Sequence, residues 1–276
     1  MAEAMLPEEM IHEIIRLSLP PFCPKTFLKF DRTLTVLSPT QQEPGTITGP
    51  VALLSVSKRW LRVGTPLLYE GVVLRKPSHT SSVARLAKAN PTVGRTIRYL
   101  RLESGSTTRE LSTLVKHAPN VHTVYIEGCL RHGDSYDGLQ RAMRFLRPKT
   151  LYINNPFCVP QESSRNVSRE TNKMVLKAIV EAWTSATALH FSSHYIAIGN
   201  EWSSALQLPS LEELHIPAPH YAPQYWFSWS RSLPHPPFKR LILYATRHRE
   251  HLKAELTDSS KHISYAETVD FVDGSN

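Results

Sequence analysis

The sequence lacks the short patterns that mark the commonest enzyme classes. It contains no G-x-S-x-G nucleophile elbow, no P-loop, no G-x-G-x-x-G fingerprint and no H-E-x-x-H helix. Each of these patterns places a nucleophile, a phosphate or a metal ion at a fixed point in a turn or a helix. We therefore predict that the protein is not an enzyme and that it needs no cofactor.

Cysteine and long apolar runs are also scarce. The three cysteines, Cys23, Cys129 and Cys158, form an odd set without metal-ligand spacing, which is typical of reduced thiols inside the cell. No stretch approaches the roughly 18 consecutive apolar residues that indicate a membrane span. The acidic start, M-A-E-A-M-L-P-E-E-M, also differs from a secretion signal. We expect a protein of the cytoplasm, the nucleus or both, without a membrane partner.

Histidine is plentiful, at 13 residues, but its spacing does not favour a metal site. The closest pairs are His190 with His194, His215 with His220, and His248 with His251. The first pair has helical i, i+4 spacing but falls at the end of a predicted strand, where side chains so spaced do not converge. No cysteine pair supports any of them. We predict no bound metal, and we interpret the histidines as solvated or hydrogen-bonded.

The net charge of +8 is unevenly distributed. Residues 75–149 hold 14 basic and five acidic side chains, whereas the first 70 residues are balanced. This excess indicates either a basic face that attracts an acidic partner or a solvated basic surface. Stacking of nucleobases needs aromatic rings among the basic residues. The main aromatic cluster lies elsewhere, at residues 221–229, and this separation argues against a nucleic-acid partner.

Two apolar stretches near the N-terminus flank a proline-rich segment. The stripe from Leu6 to Leu17 has helical spacing and should stop before Pro20. A second stripe, residues 53–63, predicts a helix that Gly64 and Pro66 end. Between the two stripes, residues 20–50 contain six prolines and two glycines, and we interpret them as an insertion.

The two stretches resemble the halves of an F-box of the kind common in fungal proteins. Residues 55–69, S-V-S-K-R-W-L-R-V-G-T-P-L-L-Y, match its V-S-x-x-W core and P-L-L-Y ending, and Leu6-Pro7 opens the first helix as the family requires. The resemblance covers residues 5–19 and 53–69. It implies a helical unit over residues 1–70 that docks the Skp-type adaptor of a cullin–RING ubiquitin ligase. The matching apolar positions, for adaptor contacts or helical packing, are Leu6, Pro7, Met10, Ile11, Ile14, Ile15, Val56, Trp60 and Leu67.

After residue 70 an apolar-x-apolar pattern recurs. Taking residues 72, 100, 124, 151, 189, 214, 241 and 263 as equivalent, the steps between copies are 28, 24, 27, 38, 25, 27 and 22 residues. Most of these steps lie in the leucine-rich-repeat range of roughly 20–29 residues. Helical patterns fall between the copies, at 82–89, 109–117, 136–146 and 172–183. We predict an α/β fold with a parallel sheet, a solenoid over residues 71–265 and a tail over 266–276.

The repeat resembles the irregular leucine-rich repeats that often follow an F-box. In such repeats the residue between the two core positions points to the concave face, where a target protein binds, because side chains alternate along a strand. The resemblance therefore implies that the chain is the substrate-recognition subunit of a ubiquitin ligase. The sequence does not identify the target, and the basic residues 75–149 favour an acidic one. The predicted target-binding residues are Arg98, Arg101, Tyr125, Tyr152, His190 and His215. The alternative is that this face is simply solvated or is covered by the insertion at residues 20–50.

A second hypothesis uses the same pattern without a ligase. In it the chain is a repeat scaffold or a basic nucleic-acid-binding protein, and residues 5–69 cap the apolar end of the repeats, as terminal repeats must. Adaptor binding and salt-dependent binding of nucleic acid distinguish the two hypotheses.

Overall fold

A computed structural model of the 276-residue chain describes residues 6–18, 50–103, 108–127, 136–154, 181–191, 208–217, 239–245 and 269–273. The helices are α1 (Glu8–Ser18), α2 (Pro50–Leu54), α3 (Lys58–Leu68), α4 (Pro77–Ala89), α5 (Pro91–Thr96), α6 (Arg109–His117) and α7 (Tyr136–Met143). The strands are β1 (Gly71–Leu74), β2 (Tyr99–Leu102), β3 (Thr123–Glu127), β4 (Thr150–Asn154), β5 (Ala188–Phe191), β6 (Glu213–Pro217), β7 (Arg240–Ala245) and β8 (Val269–Asp273).

The fold is α/β, and its strands form one eight-stranded sheet in the order of the chain. Every neighbouring pair is parallel. The equivalence predicted from the sequence is confirmed for seven strands, since the residues in register are Val72, Leu100, Val124, Leu151, Leu189, Leu214 and Leu241. It is wrong for the eighth, where Val269 and not Ile263 pairs with Leu241. The sheet thus extends to Asp273, within the segment predicted as a tail.

The same hydrogen-bond arrangement recurs where each of strands β2–β7 begins. Two consecutive N–H groups donate to one carbonyl oxygen of the preceding copy, at N···O distances of 2.7–3.2 Å. The accepting carbonyls belong to Glu70, Arg98, His122, Lys149, Thr187 and Glu212. The number of residues between successive carbonyls equals the step between successive apolar positions. Copies of different length therefore differ in the connection between strands, and the start of each strand has the same hydrogen bonds.

The main core lies between the sheet and a layer of helices. Because side chains alternate along a strand, Leu100 and Leu102 face this core together with their equivalents Val124, Ile126 and Leu151. The predicted core positions 153, 189, 191 and 214 are also buried there. The remaining three, residues 216, 241 and 243, lie in the predicted strands, but their side chains fall outside the described part of the structure.

Helices α4, α6 and α7 pack side by side in this layer. Helix α6 has the predicted bounds, and its Leu111, Leu114 and Val115 are buried, whereas α4 begins earlier than predicted, at Pro77. The sequence did not predict α5. Its start is set by the Asn90 side chain, which accepts hydrogen bonds from the N–H groups of Thr92 and Val93.

The prediction of a single helix from residue 53 to Gly64 is wrong. A turn separates α2 from α3, and the Ser57 hydroxyl caps α3 by accepting from the Trp60 N–H at 3.3 Å. The helix then continues through Gly64 and Pro66 to Leu68. Gly64 is there because of packing, since a Cβ atom at this position would overlap Leu54 Cδ2 and Ile15 Cδ1.

Several predicted features lie outside the described residues. They are most of the proline-rich insertion at 20–50, the three cysteines, the aromatic cluster at 221–229, most of the predicted helix at 172–183, and His194, His220, His248 and His251.

Candidate functional site

Five of the six predicted target-binding side chains form one line across the sheet, and Arg98 lies just before β2, outside that line. Arg101, Tyr125, Tyr152, His190, His215 and Ile242 are in register on consecutive strands β2–β7, and we call this set the face row. Its members alternate with the core positions, so they lie on the face of the sheet opposite the helices. Tyr125 accordingly packs in a separate apolar cluster with Val73, Tyr99 and Tyr152.

The face row is buried where the sequence predicted an open surface. Arg101, Tyr125, His190, His215 and Ile242 are at most 8% exposed, and Tyr152 is partly buried. Alternation along a strand fixes which face a side chain occupies, but it carries no information on what covers that face. The row is therefore placed as predicted and enclosed against expectation.

Three rings of the face row form a stack that crosses three strands. The ring centroids of Tyr152 and His190 are 4.0 Å apart with an interplanar angle of 13°, and those of His190 and His215 are 3.7 Å apart at 23°. Stacked aromatic side chains on neighbouring strands stabilise a sheet beyond the area they bury. The His190 Nδ1 atom is buried and has no hydrogen-bond partner among the described residues.

Burial keeps both imidazoles of the stack neutral. Desolvation is the main cause that lowers the pKa of His190, to about 2, and the nearby His215 lowers it further. Burial also lowers the pKa of His215, although its hydrogen bond to Glu213, at 3.2 Å, opposes the shift. At neutral pH this half of the row thus presents flat, uncharged rings and no positive charge to an acidic partner.

At the other end of the face row, the Arg101 cation is already engaged in an ion pair. The Arg101 guanidinium lies over the Tyr125 ring, 4.3 Å from its centroid, and its Nε donates to Glu103 at 2.8 Å. Glu103 also accepts from Arg75 Nε at 2.8 Å. The predicted Arg98 is exposed and faces Glu70 at 3.7 Å. Arg101 is thus held in a local ion-pair network, whereas Arg98 is open to solvent.

The second group of predicted residues lies in the three N-terminal helices. Ile11 and Ile15 of α1 are buried with Leu54 of α2, and Trp60 and Leu67 of α3 pack against them. Arg59 and Arg62 of α3 form ion pairs with Glu8 at the start of α1. We call α1–α3 the helical cluster. Ile11 and Ile15 hold this cluster together and are not available to a partner.

The helical cluster exposes several large apolar side chains among its charged and polar ones. Leu6, Met10 and Val56, all predicted as adaptor contacts, are 40%, 50% and 61% exposed, and Pro7 is exposed as well. Ile14, Trp60 and Leu67 are partly buried. Two exposed leucines, Leu17 and Leu61, were missed as contacts, although Leu17 continues the Met10 stripe one helical repeat further on.

The described residues contain no group of three histidine, cysteine, aspartate or glutamate side chains placed to hold a metal ion. None of their helices is both long enough and apolar enough to cross a bilayer. Models of known protein families and the sequences of curated proteins give no match to this chain.

Proposed function

We propose that this chain is the substrate-recognition subunit of a cullin–RING ubiquitin ligase. In this proposal the helical cluster is an F-box that docks a Skp-type adaptor, and the sheet and its helices are a leucine-rich-repeat-like solenoid that holds a target protein. The chain supplies position and no covalent chemistry. It works in the cytoplasm or the nucleus.

The observation that carries the proposal is a group of exposed apolar side chains on the helical cluster. Terminal caps of repeat proteins present a polar outer face to water. Here Leu6, Met10 and Leu17 of the α1 segment and Val56 and Leu61 around α3 are exposed among charged and polar residues. Large exposed apolar side chains on one small helical unit suit a docking surface. They belong to the two stretches that resemble an F-box.

The repeated strand entry supports the solenoid part of the proposal. Each copy is one strand with its connection, the strands add to the sheet in chain order, and one core runs along all the described copies from Val72 to Leu214. No single copy could bury its own apolar side, whereas stacked copies bury a continuous core. Such an extended surface suits recognition of another protein.

We expect Leu6→Ala combined with Met10→Ala to abolish capture of a Skp-type adaptor. Central apolar anchors contribute about 2 kcal/mol or more each to an interface, and a loss of that size lowers affinity about thirtyfold. Both side chains are exposed, so the repeats should stay folded. The measurement is co-purification of the full chain with purified adaptor, followed by titration of each variant.

Phe145→Ala is the matched control, because Phe145 is as exposed as Met10 but follows α7 in the helix layer of the sheet. It should leave adaptor capture unchanged. If the wild-type chain binds no Skp-type adaptor at micromolar concentration, the ligase proposal is lost.

The second candidate is a repeat scaffold that the helical cluster caps. It is favoured by the contact of α3 with α5 and by Tyr69, which packs against the main core directly after α3. A scaffold of this kind would bind no adaptor. If the helical cluster is such a cap, removal of residues 1–68 exposes the first strand and should cause aggregation. The full chain should in that case bind no ligase component.

A further inference from the structure

A cleft opens on the helix layer, far along the chain from the helical cluster. Helices α6 and α7 pack against each other and line an open cleft of about 410 Å³. Its walls are Ser112, Thr113 and Lys116 of α6, with Arg141 of α7 and Arg144 and Phe145 of the turn that follows. Residues three and four apart share a helix face, so each helix turns one stripe of side chains toward the cleft.

Three positive charges converge on this cleft. Lys116, Arg141 and Arg144 are all exposed, and no ion pair joins any of them to a carboxylate in the described part of the chain. Three like charges that line one cleft repel one another, and an anion in the cleft would relieve that repulsion.

The cleft also has an apolar wall and a hydroxyl. Phe145 is half exposed, and Lys116 Nζ lies 5.6 Å from its ring centroid, which holds the ammonium group at the rim. The Ser112 hydroxyl donates to the Arg109 carbonyl, so it is already committed as a donor. Thr113 contributes the second hydroxyl to the wall. An occupant therefore meets three cations beside one exposed aromatic ring.

We infer that this cleft binds an acidic segment of a protein partner, in which clustered carboxylate or phosphate groups flank an apolar side chain. The anionic groups contact Lys116, Arg141 and Arg144, and the apolar side chain packs on Phe145. The volume is in the range of about 300–1,000 Å³ typical of compact ligand sites. It suits a few side chains of a peptide. A single-stranded nucleic acid would need a longer track with several stacking rings.

The inference does not depend on the ligase proposal, because the cleft shares no residue with the helical cluster. It does place the acidic partner predicted from the basic residues 75–149 at the cleft and not at the face row, since Arg101 of the face row is buried and paired with Glu103. A partner bound at the cleft would meet the helix layer and leave the face row untouched.

The test uses the full chain and a short fluorescent peptide of glutamates around one leucine, with anisotropy read at physiological ionic strength. We expect Arg141→Glu combined with Arg144→Glu to weaken binding about tenfold or more, because charge-assisted contacts turn into repulsion. Arg85→Glu combined with Lys88→Glu is the matched control. It makes the same charge change at exposed positions three apart on α4, and it should weaken binding less than about twofold.

Further binding measurements identify the kind of segment that the cleft binds. Phe145→Ala should weaken the leucine-containing peptide and leave a leucine-free peptide unchanged. A peptide with phosphoserines in place of the glutamates decides between phosphate and carboxylate as the anionic group. Equal weakening by both charge reversals overturns the inference. Undetectable binding of both peptides also overturns it, and so does full competition by inorganic phosphate at the same concentration as the peptide. A third contrary result is an oligonucleotide of matched charge that binds more tightly than the peptide and is weakened as much by the Arg141 and Arg144 reversals. Adaptor capture should be unaffected by the cleft variants.

Discussion

Replacing Trp183 with alanine is expected to lower the free energy of unfolding by about 3–5 kcal/mol. The Trp183 side chain is fully buried in the main core, and its indole N–H donates to the Met143 carbonyl at 3.0 Å. The substitution leaves a cavity and also removes the partner of a carbonyl at the end of α7. Trp183 precedes β5, so it anchors the chain where it returns from the longest connection, between β4 and β5.

Denaturant unfolding of the full chain measures this change, and Trp183→Phe separates its two causes. Phenylalanine keeps most of the apolar volume and loses the hydrogen bond, so it should cost only about 1–2 kcal/mol. Phe145→Ala, at an exposed position, should cost less than either. A loss below about 1 kcal/mol for Trp183→Ala would mean that this residue does not close the core as described.

The strand register was predictable because it depends on a local pattern. Strands β1–β5 each place two apolar residues on the core side, and the seven predicted strands follow one another at steps that a short helix or turn can span. The error at the eighth strand has a simple origin. Ile263-x-Tyr265 and Val269-x-Phe271 both fit apolar-x-apolar, and only the step length separates them. The correct step from Leu241, 28 residues, equals the first step of the series.

The errors in the helical cluster and the face row have a different cause. Gly64 and Pro66 are ordinary stop signals, but the helix runs through both, and Gly64 is buried there against Leu54 and Ile15. The burial of Arg101 likewise depends on contacts distant in sequence, with Tyr125 and Arg75 sharing its surroundings. The cleft was not predicted because its two walls belong to different helices, and the sequence pattern does not show which side chains of neighbouring helices face each other.

The stability of the fold is expected to fall in acid because of His190. Its pKa is lowered to about 2 in the folded protein, mainly by burial, whereas the unfolded chain has the ordinary value of 6.5. At a pH between these two pKa values, His190 is protonated in the unfolded state and neutral in the folded state. The free energy of unfolding therefore decreases as pH decreases. At a pH about two units below the unfolded value, His190 alone should cost about 3 kcal/mol.

His190→Phe tests this assignment because it keeps a flat ring between Tyr152 and His215 and removes the titrating group. We expect the loss of unfolding free energy between pH 7.5 and pH 4.5 to be smaller in this variant than in the wild type by about 3 kcal/mol. Some slope should remain, since burial also lowers the pKa of His215. The stability at pH 7.5 should rise slightly, because the unpartnered Nδ1 atom is gone.

His12→Phe, at an exposed position on α1, is the control and should keep the wild-type profile. If His190→Phe also keeps that profile, His190 is not the group that sets the acid sensitivity, and the stack must open to admit a proton.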